Sequence, residues 1–82
     1  MSNNINYKSE SYRGAVEITP HDTNDLTDPV SALYIGGAGT VKVDTPDGTV
    51  TFNGALAGHI IPVCCTRVYA TGTSATNIVG LK

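Results

Sequence analysis

From residue 14 onward, apolar and polar residues alternate mostly with a period of two, and no apolar period of 3.6 residues is sustained anywhere. In "GAVEIT", Val16 and Ile18 share one face while Ala15, Glu17 and Thr19 take the other. This predicts a first strand, ended by Pro20 because proline has no amide to donate to a ladder. "HDTNDLTDP", residues 21–29, reads as a loop or a short helical turn capped by Asp or Thr side chains. Residues 30–35, "VSALYI", predict a strand that is apolar on both faces, and Gly36, Gly37 and Gly39 predict a tight reversal with positive φ.

The clearest signal is "TVKVDTPDGTVTF". Val41 and Val43 alternate with Thr40, Lys42 and Asp44, and Val50 and Phe52 alternate with Thr49 and Thr51. Between them "TPDG" supplies the fixed φ of Pro46 and the freedom of Gly48, so the segment predicts a β-hairpin with one buried and one wet face. A long strand, "HIIPVCCTRVYATG", follows the connection at residues 53–58. Pro62 interrupts it and implies an edge position, a bulge or a change of sheet. Beyond it Val63, Cys65, Arg67 and Tyr69 are expected on one face, and Cys64, Thr66, Val68 and Ala70 on the other. After the turn "TSATN", the residues "IVGLK" form a closing strand. The pattern as a whole predicts an all-β fold, a small single-domain sandwich or barrel of about six or seven short antiparallel strands. Residues 1–13 are polar, with Ile5, Tyr7 and Tyr12 interspersed, and read as an N-terminal arm ahead of a domain at residues 14–82.

Length changes the picture. A chain of 82 residues is one domain at most, and it buries only about 60–65% of the surface its unfolded form exposes. The candidate core is Val16, Ile18, Leu26, Val30, Leu33, Ile35, Val41, Val43, Val50, Phe52, Leu56, Ile60, Ile61, Val63, Val68, Ile78, Val79 and Leu81, with no Trp and one Phe to enlarge it. Scaffolds this small gain stability from disulfides, a metal or partner chains. Cys64 and Cys65 are the only cysteines, and adjacent residues of a strand point to opposite faces, so they read as two small buried or half-buried thiols rather than a bridge. His21 and His59 show no metal-ligand spacing with each other or with the cysteines. Partner chains are the remaining source, and the expectation is a homo-oligomer.

Charge and chemistry narrow the classes further. A net charge of −2 without a basic patch argues against nucleic-acid binding. No run of about 18 apolar residues predicts a membrane span. "MSNNINYKSESYRG" lacks the apolar core of a secretory signal, and so few cysteines fit synthesis in a reducing cytoplasm. Asp22, Asp25 and Asp28 lack the ligand pattern of a calcium loop and read as solvated acids and turn caps. His59 and Cys64, five apart in a strand, point to opposite faces and have no orienting acid nearby in sequence. "GGAG" lacks the lysine and following helix of a phosphate loop. No catalytic, cofactor or metal residue is therefore assigned, and no enzyme activity is expected. Ile5, Tyr7, Tyr12, Arg13, Arg67 and Tyr69 are the interface candidates, since Tyr and Arg are favoured at interfaces.

Four blocks, in order, carry a family resemblance: "AVEITPHDTNDL" at 15–26, "ALYIGGAGTVKV" at 32–43, "VTFNGALAGHIIPV" at 50–63 and "RVYATGTSATNIV" at 67–79. Together they resemble the spike base proteins of tailed phages and gene transfer agents. Cys64–Cys65 departs from the valine or basic residues usual there, and the N-terminal arm has no counterpart. The resemblance implies a structural protein on the surface of a virion capsid, made in the host cytoplasm. It also implies a homo-oligomer, a pentamer ahead of a trimer, that joins the major capsid protein to a projecting spike or fibre. A shell-wide cement or decoration protein is the alternative within that class. A small glycan-binding module is the alternative outside it, which five unclustered aromatics do not favour.

Overall fold

The computed structural model of the chain describes residues 12–82. They form seven strands and no helix: β1 (Ala15–Glu17), β2 (Ala32–Gly37), β3 (Gly39–Thr45), β4 (Gly48–Ala55), β5 (His59–Ile61), β6 (Arg67–Val68) and β7 (Thr76–Leu81). Every pairing is antiparallel. The first sheet has the order β1-β7-β2-β5 and the second β4-β3-β6. Leu33 and Ile35 of β2 and Ile78 of β7 share one buried core with Val41 and Val43 of β3 and Val68 of β6. Val30 and Cys65, bridged to each other, belong to it as well, with Ile18 and Ala75. The fold is the small all-β sandwich that the period-two alternation predicts.

The hairpin forms in the expected register, with Val43 opposite Val50 and Val41 opposite Phe52. The Thr45 hydroxyl fastens its turn, donating to the Gly48 carbonyl at 2.9 Å and accepting from the Asp47 amide at 3.1 Å. Pro62 marks a change of sheet, since β5 lies in the first sheet and β6 in the second.

Several expectations are corrected. The glycines at 36–39 make no tight reversal: β2 runs through Gly37, and β3 starts at Gly39 in the other sheet. Glycine is required there by close approach. A Cβ on Gly36 would stand 2.6 Å from Asn77, and one on Gly37 would collide with the Thr76 side chain. The strand expected through residues 63–70 is broken, so its two faces do not hold. Cys65 and Val68 are both buried, because Cys65 bridges to Val30 while Val68 pairs with Val43. Cys64 is exposed rather than half-buried. Finally, four candidate core residues lie open: Val16 (41% exposed), Val50 (42%), Ile60 (48%) and Leu56 (57%).

Candidate functional site

The sandwich has two unlike flanks. On one, the segment between β1 and β2 lies along the outer edge of β6: the His21 amide donates to the Val68 carbonyl at 2.9 Å and the Leu26 amide to the Thr66 carbonyl at 2.8 Å. Three acids fasten this segment. The Asp22 carboxylate accepts from the amides of Ala70 (3.0 Å) and Thr71 (2.8 Å) and from the Thr71 hydroxyl (2.7 Å). Arg67 Nε donates to Asp25 at 2.8 Å, and Lys82 Nζ to Asp28 at 3.1 Å. The three aspartates thus have three separate partners, which is the behaviour of caps and ion pairs rather than of one ligand set.

Beside them, the Tyr69 hydroxyl donates to Asp44 at 2.9 Å, and its ring lies 4.8 Å from Lys42 Nζ and 5.5 Å from the Arg67 guanidinium. Hydrogen bonds from Thr71 hold the Asp22 carboxyl below its ordinary value. The Thr49 hydroxyl does the same for Asp44, helped by Tyr69 and by the charges of Arg67 and Lys42. Burial, followed by the neighbouring Cys64, pushes the Cys65 thiol up to about 11, which keeps it in its protonated form among the core residues.

The opposite flank carries β4 and β5, joined by a short turn at Leu56–Gly58. Among the described residues β4 pairs only with β3, and its other edge is unpaired. The direction of that edge follows from β6. The Lys42 and Asp44 carbonyls accept from Tyr69 and Thr66 on the β6 side, at 2.8 and 3.0 Å. Their partners across the hairpin, Thr51 and Thr49, therefore sit in non-hydrogen-bonded pairs and turn their own N–H and C=O groups outward. Val50 and Phe52, on the core-facing side of β4, are only partly covered. From Gly48 to Thr66 the chain has no Asp, Glu, Lys or Arg. This edge lacks the charges and prolines with which soluble sheets usually block strand addition.

A second apolar feature crosses the solvent face of the first sheet, where Ile60, Tyr34 and Val79 stand side by side on β5, β2 and β7. Two shallow hollows flank β1, of about 130 Å³ near Leu26 and Lys82 and about 240 Å³ near Thr19 and Asn77. Both fall below the roughly 300–1,000 Å³ of small-molecule sites. No group of His, Cys, Asp and Glu among the described residues has the arrangement of a metal site.

Of the interface candidates, Arg67 and Tyr69 come together at the sealed flank, half-buried and engaged within the chain. Tyr12 and Arg13 are exposed ahead of β1, on the other sheet. Ile5 and Tyr7 lie outside the described residues, as does most of the N-terminal arm. The open β4 edge, with Val50 and Leu56, is absent from the candidates. Its sequence signal is the uncharged run at 48–66.

This architecture defines a small all-β sandwich sealed on one flank and open on the other. Neither a scan of family models nor a search of curated proteins gives a match. A solved structure does match: a chain of the "Capsid of native GTA particle computed with C5 symmetry" is 40% identical, with a TM-score of 0.79, over 88% of this chain and 84% of that chain. The chain belongs to the family of that gene transfer agent capsid chain, a family of phage-like capsid proteins.

Proposed function

We propose that this protein is a capsid-attached spike base, an oligomeric adaptor between the major capsid protein and a projecting spike or fibre on a virion surface. The observation that carries this reading is the likeness, at 40% identity, to a chain of a gene transfer agent capsid. The four sequence blocks of the spike base resemblance support the finer role. The work proposed is binding alone, without catalysis. Marginal burial in a chain of 82 residues is offset when surface is covered by neighbouring copies and by the shell.

The test is to express epitope-tagged protein with the particles and to locate the tag by cryo-electron microscopy. Tag confined to vertices is the expected result, and tag over the whole shell would make the protein a cement. Protein that never co-sediments with particles overturns the reading. Deleting residues 1–13 is expected to leave the fold intact, by circular dichroism, and to abolish co-sedimentation. Normal occupancy by the truncated chain would exclude the arm from docking.

A further inference from the structure

We infer that the open edge of β4 is an acceptor for the first seven residues of a second copy of this chain, which add to the second sheet as a fourth strand. The inference deepens the proposed assembly role and rests on its self-association.

Four observations converge on that occupant. The first is the edge itself: β4 is the longest strand, Thr49 and Thr51 turn unpaired backbone groups outward, and Val50 and Phe52 beside them are incompletely covered. Such an edge binds an extended segment through main-chain hydrogen bonds, with alternate side chains filling the apolar positions. The second is charge. All charged side chains lie within residues 8–47 and 67–82, so both β4 and residues 1–7, "MSNNINY", are free of them. A segment without charged side chains meets an edge without them, so no side-chain ion is left unpaired.

The third is pattern and length. Ile5 and Tyr7 alternate with Asn4 and Asn6, so an added strand can set Ile5 and Tyr7 on the Val50 and Phe52 side and keep Asn4 and Asn6 in water. At about 3.3 Å per residue, seven residues span about 23 Å, close to the eight-residue β4. The fourth is where the segment departs. Gly14 is bonded to Lys82 in both directions, at 2.8 and 2.9 Å, at the β1 edge of the first sheet. That edge is three strands from β5, on the flank opposite to β4. Donor and acceptor therefore lie on opposite sides of the molecule. A copy that donates on one side and accepts on the other makes a head-to-tail contact, which generates a closed ring when the rotation closes. Residues 8–13, which carry Lys8, Glu10 and Arg13, form the link between neighbours.

The experiment is disulfide trapping in full-length protein carrying Cys64→Ser, so that only the buried Cys65 remains of the native thiols. Asn4→Cys or Asn6→Cys is combined with Thr49→Cys or Thr51→Cys, giving four double variants, and each is oxidised mildly. The expected result is a ladder of covalent oligomers on a non-reducing gel for at least one pair, lost when one of the two new cysteines is omitted. Monomer-sized disulfide would place the segment on its own β4 and overturn the exchange, as would no disulfide in any of the four. Thr51→Pro provides a second measure, because it removes an outward N–H without touching a β3 bond. It is expected to weaken self-association at least tenfold, with unchanged circular dichroism. Unchanged self-association overturns the inference, and so does a Thr51→Pro effect on particle binding alone, which would give the edge to a capsid strand. Full particle occupancy without any ladder refutes strand exchange while leaving the spike base reading in place.

Discussion

The two flanks of this sandwich face the same physical problem and answer it differently. A sheet edge presents unpaired backbone groups that must find partners or water. At β6 the chain covers the edge itself: residues 21–26 lie along it, bonded through His21 and Leu26 and fastened by Asp22 and Asp25. At β4, the longest strand, nothing in the described residues covers the edge, and the side chains that usually guard one are missing from Gly48 to Thr66. Asp22, Asp25 and Asp28 lie on the sealed side, and Val50, Leu56 and Ile60, on β4, on β5 and in the turn between them, are among the apolar residues left exposed, with Val16 on β1 and Tyr34 on β2. The difference teaches that the chain covers one of its sheet edges with its own backbone and leaves the other without such a cover among the described residues, which is where the proposed partner copy would add.

The comparison can be broken most forcefully with a residue type that occurs in both settings. Ile35 on β2 is fully buried, whereas Ile60 on the neighbouring β5 is about half exposed. Ile35→Ala is expected to cost about 2–5 kcal/mol in urea unfolding of dilute protein. Ile60→Ala, losing about half of a side-chain transfer energy, is expected to cost below about 1.5 kcal/mol. Equal costs would mean that β5 is already covered within one chain.

Acid tests the sealed flank next. The carboxyls of Asp22 and Asp44 are held below their ordinary value of 3.8 by the hydroxyls and amides they accept from. A depressed native carboxyl leaves the unfolded state binding more protons between the two values, so stability falls as pH drops. Both contributions are complete above the unfolded value, near pH 4, and are lost as pH falls through the lower native values. Asp22→Asn is expected to flatten the decline of thermal midpoint below pH 4 and to lower the midpoint at pH 7. A decline of unchanged slope would remove Asp22 as a fastener of that flank.

The smallest effect concerns the adjacent thiols. Cys64 is exposed, while Cys65 is buried with its thiol pushed up to about 11. Titration with a disulfide reagent at pH 8 is expected to modify one thiol per native chain and both after denaturation. Rapid modification of both in native protein would show that the bridge between Cys65 and Val30 opens readily.

How much of this was legible in the sequence depended on distance along the chain. The hairpin was legible because Val41, Val43, Val50 and Phe52 are set by a turn of a few residues, and the register follows from the alternation. Pro62 announced a break, and the structure places there a change of sheet that starts from an edge strand, β5. The glycines at 36–39 were misread because the atoms that exclude a side chain belong to Thr76 and Asn77, remote in sequence. Arg67 was singled out as an interface candidate, and its ion pair within the chain was not legible because its partner Asp25 is 42 residues away. The open edge had a local signal in the uncharged run, but an uncharged strand reads equally as a buried one. Only the strand order shows that β4 is at an edge.

The central claim is that the β4 flank is completed by another copy. Light scattering on a sizing column, applied to the full-length protein and to Thr51→Pro at the same concentration, tests it most directly. The account predicts one discrete ring, five copies on the proposed reading, that Thr51→Pro converts to monomer. The same mass for both proteins, monomer or ring, would contradict it.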